Sequence, residues 1–191
     1  MSLNKANQQR LLALAKNSIQ HGLQTGRPLT INLADYPEEL TEQRATFVTL
    51  QINQQLRGCI GMLEAVRTLA EDIAENAFSA AFKDPRFPPL QVYEFDELEI
   101  HLSLLTPAES ISFSSQQDLI AQLQPGIDGL ILEEGNRRGT FLPSVWESLP
   151  EPEQFLRHLK QKAGLPSDYW SERIRAYRYQ VEIIDQESVT K

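Results

Sequence analysis

Thr46-Phe47-Val48-Thr49-Leu50-Gln51-Ile52, then Asn53-Gln54, then Gln55-Leu56-Arg57-Gly58-Cys59-Ile60-Gly61 read as a β-hairpin turning at Asn53-Gln54. Two glycines in its second strand fence the only cysteine of the chain. Glycine weakens a strand interior, so two of them there predict that another part of the molecule, or a ligand, comes close to the backbone. Strand alternation puts Arg57 and Cys59 on one face, and Leu56, Gly58 and Ile60 on the other, the expected core side.

Helices flank this hairpin. Leu11, Leu14 or Ala15, and Ile19 have helical spacing, and His21-Gly22 is the expected end of that first helix. After the hairpin, Thr68-x-x-Glu71 is a capping box, and Leu69, Ile73, Ala77 and Ala80 form one apolar stripe up to Asp84-Pro85. Further on, Ser114-x-x-Gln117 is a candidate cap for a shorter helix. Pro152 suits a first helical position, Phe155, Leu156, Leu159 and Ala163 make a second stripe, and Gly164 stops it.

The chain repeats this pattern at an offset of 81 residues, which carries Arg57-Gly58-Cys59-Ile60 onto Arg138-Gly139-Thr140-Phe141. The same offset moves the strand 46–52 onto 127–133, the helix 68–84 onto 149–165 and the strand 98–105 onto 179–186. The expected organisation is a single domain over 1–191: an N-terminal helix and lead-in over 1–28, a first repeat over 29–107 and a second over 110–188. Hairpins outnumber parallel crossovers, so the fold class is α+β, an internal duplication around a curled, mainly antiparallel, barrel-like sheet flanked by helices.

Composition narrows the function. Of 191 residues, 41% are hydrophobic and 23% charged, the balance of a globular chain. A net charge of −8 repels a phosphate backbone, and the basic clusters Arg137-Arg138 and Arg173 to Arg178 are short and interrupted, so nucleic-acid binding is disfavoured. With one cysteine, no apolar run of membrane-spanning length and no signal-peptide pattern, the expected location is cytoplasmic, with no membrane association.

Cys59 is the candidate catalytic nucleophile, because a cysteine reacts as thiolate and Arg57 on the same face would favour that anion. The competing reading is a small buried hydrophobe. If the strand 98–105 lies beside the cysteine strand, His101 and Glu99 could supply a base and an orienting group; the plainer reading of those residues is a solvated strand face. Candidate ligand-binding residues are Arg57, Gly58, Gly61 and Arg86. Within Asp84-Pro85-Arg86-Phe87, Asp84 and Arg86 either brace a rigid corner or present a guanidinium fork to a carboxylate or phosphate. His21, His101 and His158 are scattered without metal-ligand spacing, and no phosphate-cradling glycine motif occurs. No cofactor is specified.

Several motifs occur together in one order: Phe47-Val48-Thr49-Leu50, Leu56-Arg57-Gly58-Cys59-Ile60-Gly61, Asp84-Pro85-Arg86-Phe87-Pro88-Pro89-Leu90, and Leu102-Ser103-Leu104-Leu105-Thr106-Pro107. Leu142-Pro143-Ser144-Val145, Phe155-Leu156 and Lys162-Ala163-Gly164-Leu165 follow. Over about residues 45 to 170 the chain resembles the AMMECR family, also called the AmmeMemoRadiSam system protein A family. Ser144 departs from the pattern, which has a larger amide side chain there. The resemblance implies an α+β duplication around one barrel-like sheet and an association with a Memo-type protein and a radical S-adenosylmethionine (radical SAM) enzyme. The resulting expectation is a ligand-binding or catalytic component of a modification pathway, with a groove near Arg57-Gly58-Cys59. The alternative is a non-catalytic adaptor or regulator whose motif is structural.

Overall fold

The computed structural model describes residues 2–186; residues 187 and 188 of the expected second repeat lie outside them. The elements are α1 (Lys5–Thr25), α2 (Glu38–Thr41), β1 (Thr46–Ile52), β2 (Gln55–Gly61), α3 (Leu69–Phe82), β3 (Glu99–Leu105), β4 (Glu109–Ile111), α4 (Gln116–Gln122), β5 (Gly129–Glu134), β6 (Arg137–Phe141), α5 (Pro152–Lys162), β7 (Arg175–Tyr179) and β8 (Val181–Ile184). Short 3-10 turns cover Leu33–Asp35, Val92–Glu97 and Pro143–Glu147. The chain divides into two compact units: residues up to Leu105 with those from Glu182, and Thr106–Val181.

In the first unit the strands run in the order β2–β1–β3–β8. Val48, Leu50, Ile100 and Leu102 bury one sheet face against Leu11, Ala15 and Ile19 of α1 and Leu69, Ile73 and Ala77 of α3. Both helices are amphipathic, and the sheet supplies the apolar face that each needs. The capping box at Thr68 and Glu71 forms as expected. Helix α1 does not end at His21-Gly22 but runs to Thr25 and stops at Gly26, whose φ of 70° is left-handed. Gly22 has a packing role instead: a side chain there would overlap the rings of Phe78 and Phe82.

The second unit has the order β4–β7–β5–β6. Its core joins Leu130 and Leu132 to Phe155, Leu156 and Leu159 of α5, with Trp146 stacked on Phe155 at 3.7 Å. Pro152 opens α5, and Gly164 follows it at φ 81°. The cap of α4 is Ser115, one residue beyond the expected Ser114. Ser115 Oγ accepts from the Asp118 amide, while the Ser114 amide and hydroxyl donate to the Asp118 carboxylate.

Two separate four-stranded antiparallel sheets therefore stand where one barrel-like sheet was expected, and no closed barrel is present among the described residues. The offset of 81 fails at the third strand. It maps β3 onto 180–186, but the strand beside β5 is β7 at 175–179. After Gln180 the chain enters the first sheet as β8. Each sheet is thus completed by a strand distant in sequence, a long-range pairing that local periodicity does not encode.

Candidate functional site

The register of the first hairpin decides its chemistry. Gln51 lies opposite Leu56 and Leu50 opposite Gly58, so Arg57 is an extra, unpaired residue, a β-bulge. A bulge interrupts alternation and re-aims a side chain. Leu56 consequently falls opposite Gln51, off the core side expected for it, and is 42% exposed. Gly58 and Ile60 do face the helices.

The re-aimed Arg57 closes its fork on Glu94, with Nε donating to Oε1 at 2.7 Å and Nη2 to Oε2 at 2.9 Å. Nη2 also donates to the Pro88 carbonyl at 3.0 Å. Glu94 raises the guanidinium pKa, and Arg57 in turn holds the Glu94 carboxyl below its ordinary value. The Gln91 amide donates to the same carboxylate at 2.8 Å, so the pair anchors the turn Val92–Glu97 to the bulge. The Nε/Nη2 edge of the fork is filled from within the protein, and Nη1 is buried without a hydrogen-bond partner.

Arg86 behaves likewise. Its Nε donates to Asp84 Oδ1 at 3.0 Å and its Nη2 to Oδ2 at 2.7 Å. Asp84 is buried and also accepts the Arg86 amide at 3.0 Å and the Cys59 amide at 2.9 Å, while Arg86 Nη2 donates to the Cys59 carbonyl at 3.3 Å. The Arg86 fork, then the Cys59 and Arg86 amides, hold this carboxyl well below the usual carboxylate range. β2 is an edge strand, and an edge presents unpaired amides and carbonyls. The Asp84–Arg86 pair takes the place of a neighbouring strand at Cys59, joining two distant motifs in one closed corner. Asp84 and Arg86 brace the rigid corner, one of the two readings of that motif, while the bond from Asp84 to β2 has no signal in the sequence.

The Cys59 side chain is half-buried, and its Sγ accepts the Thr49 hydroxyl at 3.2 Å. β3 lies beyond β1, with His101 opposite Thr49. The strands of Cys59 and His101 are therefore two spacings apart, about 10 Å, which corrects the expected Cys59–His101–Glu99 cluster. Thr49, missed in the sequence, occupies the intervening position. His101 Nδ1 lies 3.7 Å from Asp185 Oδ2, and its Nε2 is buried without a hydrogen-bond partner.

Both glycines serve close approach within the protein. A Cβ on Gly58 would overlap the Ala80 carbonyl of α3, and one on Gly61 the Phe47 ring and the Thr46 carbonyl. Phe47 lies opposite Gly61, so an aromatic ring covers the place where a side chain would stand. Among the described residues no group of three or more His, Cys, Asp or Glu side chains is placed to hold a metal ion. No described helix is long and apolar enough to cross a membrane.

Comparison with known proteins adds a context to this geometry. The family model described as AMMECR1 matches residues 12–184. Protein MJ0810 of Methanocaldococcus jannaschii is 40% identical over 164 residues, covering 82% of this chain and 80% of that protein. A protein of Methanothermobacter thermautotrophicus is 37% identical over 183 residues, 93% of each chain. The crystal structure of uncharacterized protein PH0010 from Pyrococcus horikoshii is similar with a TM-score of 0.80 at 37% identity, covering 91% of this chain and 88% of that one.

Proposed function

The chain belongs to the AMMECR1 family, and on that premise we propose that its Arg57–Cys59 corner is a rigid platform for docking a protein partner rather than a thiol-centred catalyst. One observation carries this reading: both guanidinium forks are closed by intramolecular carboxylates, Glu94 and Asp84. A fork so occupied braces the backbone and is not free for a ligand. The braced segment displays apolar side chains, with Val92 74% and Tyr93 79% exposed. An exposed apolar pair on an anchored turn is the kind of surface that a protein interface covers, and tyrosine is enriched among interface anchors. The family resemblance nominates a Memo-type protein or a radical SAM enzyme as that partner, in the cytoplasm. The two units are further read as copies of one hairpin-and-helix element that exchanged their fourth strands.

A second reading keeps Cys59 as nucleophile. The register sets Cys59, Thr49 and His101 side by side across three strands, with Asp185 near His101. In that scheme the Thr49 hydroxyl, which donates to Sγ, stabilises the thiolate.

Affinity of the purified protein for the Memo-type and radical SAM proteins of its own organism separates the two. Docking predicts that Tyr93→Ala weakens capture of one of them by about tenfold or more, while Cys59→Ser leaves it intact and still complements a deletion strain. Loss of complementation by Cys59→Ser at unchanged stability, with Tyr93→Ala silent, would transfer the function to the thiol.

A further inference from the structure

The two interrupted basic clusters of the sequence meet in the second unit. β5 pairs with both β6 and β7, so Glu133 lies opposite Arg138 on one side and Arg175 on the other. At this end of the sheet, the Gly135-Asn136 turn and the Tyr169–Arg173 loop line a concavity of about 390 Å³ together with Glu134 and Arg137.

Its charges are arranged in two layers. Glu134 is buried, and its carboxylate accepts the Tyr169 hydroxyl at 2.7 Å and the Ser171 hydroxyl at 3.1 Å, with Arg173 Nη2 at 3.2 Å. Glu134 is therefore a positioning residue that fixes the Tyr169 ring and the base of Arg173. The Arg173 side chain is otherwise 83% exposed. Arg137 is exposed and has no acidic partner within salt-bridge distance among the described residues. Two guanidinia therefore share the concavity with one carboxylate, whose Oε1 takes all three of these donors, and the lining side chains carry a net positive charge.

We propose that this concavity binds a small oxyanion, a phosphoryl or carboxylate group held between the guanidinia of Arg137 and Arg173 with the Tyr169 ring as a wall. A guanidinium presents a planar fork of donors that matches either group. A local positive site on a chain of net charge −8 also concentrates an anion there against the repulsion of the remaining surface. The site lies wholly within the second unit and is independent of the Cys59 corner.

Isothermal titration calorimetry on the full chain tests this, with inorganic pyrophosphate in one arm and citrate in the other, at physiological chloride. The expected result is saturable one-site binding of at least one probe. Arg137→Ala and Arg173→Ala should each weaken it by about tenfold or more, the loss of roughly one charge-assisted hydrogen bond, and the double variant should abolish it. Arg27→Ala, at an exposed arginine of the other unit, should bind as the parent does. Tighter pyrophosphate identifies a phosphoryl ligand, tighter citrate a carboxylate. Both positions are exposed, and unchanged melting temperatures verify that the variants fold. Absence of saturable heat with both probes, or undiminished binding by the folded double variant, overturns the proposal.

Discussion

The hairpins β1–β2 and β5–β6 each press a glycine against a helix, Gly58 on the backbone of α3 and Gly139 on Ala163 at the end of α5. Around that shared contact they differ. The first carries the bulge at Arg57, whereas the second pairs without a register shift from Glu134–Arg137 to Leu130–Phe141. At the first, the edge backbone of Cys59 is closed by the charged pair Asp84–Arg86. At the second, Thr140 donates its hydroxyl to the Leu130 carbonyl and lies 3.1 Å from the Tyr179 hydroxyl, which donates to the Phe141 carbonyl. Burial pushes the Tyr179 phenol up to about 12, so it stays protonated and able to donate. The Cys59 edge is closed by ions and the Thr140 position by neutral hydroxyls, so the closure at Cys59 should depend on pH in the acid range and that at Thr140 should not.

The largest expected effect tests what the hairpins share. Gly58→Ala sets a methyl group into the Ala80 carbonyl and should cost about 3 kcal/mol, at the upper end for overpacking. Gly139→Ala meets the Ala163 amide nitrogen at 2.8 Å and should cost less. Chemical denaturation of both variants gives the order; a neutral Gly58→Ala would break the close-contact account.

The next variant tests the ionic closure. Asp84→Asn should destabilise by about 1.5 kcal/mol near neutrality, because the Arg86 fork and the Cys59 amide lose a charged acceptor. The folded-state pKa of Asp84 is depressed. Its stabilisation is therefore fully present above the ordinary carboxylate pKa of about 4 and is lost as pH falls through the lower folded value. The gap between parent and variant should stay constant above about pH 5 and narrow on acidification. A gap independent of pH down to the acid limit would show that the charge of Asp84 contributes nothing.

The smallest effect belongs to the thiol. Cys59→Ala removes a half-buried sulfur and one acceptor from Thr49, and should shift stability by under about 1 kcal/mol. Thermal melts beside Gly58→Ala sharpen the comparison: a Cys59→Ala loss equal to that of Gly58→Ala would move the structural weight of the motif from its glycine to its cysteine.

Much of this was legible in the chain. The bounds of β1 and β2 follow from apolar, β-branched residues on either side of Asn53-Gln54, whose φ values of 53° and 63° make the tight turn. The α3 cap follows from Thr68 and Glu71, whose partners are three residues apart and need no tertiary help. Close approach at Gly58 and Gly61 was legible because a glycine inside a strand has few other reasons to be there. The faces of the site were not. One unpaired residue at Arg57 is enough to put Leu56 on the unexpected side, since side-chain period in a strand is 2 and any slip inverts it.

The sequence by itself determined the α+β class, the local elements with their caps and stops, and the family to which the chain belongs. These rest on signals spanning a few residues, or on motifs read directly. Only the tertiary structure decided that Glu94 and Asp84 fill the two arginine forks, that Thr49 stands between Cys59 and His101, and that the eight strands form two sheets with β8 joined to the first. Each of these depends on pairing between residues tens of positions apart, where chain topology and edge satisfaction, rather than local periodicity, select the partner.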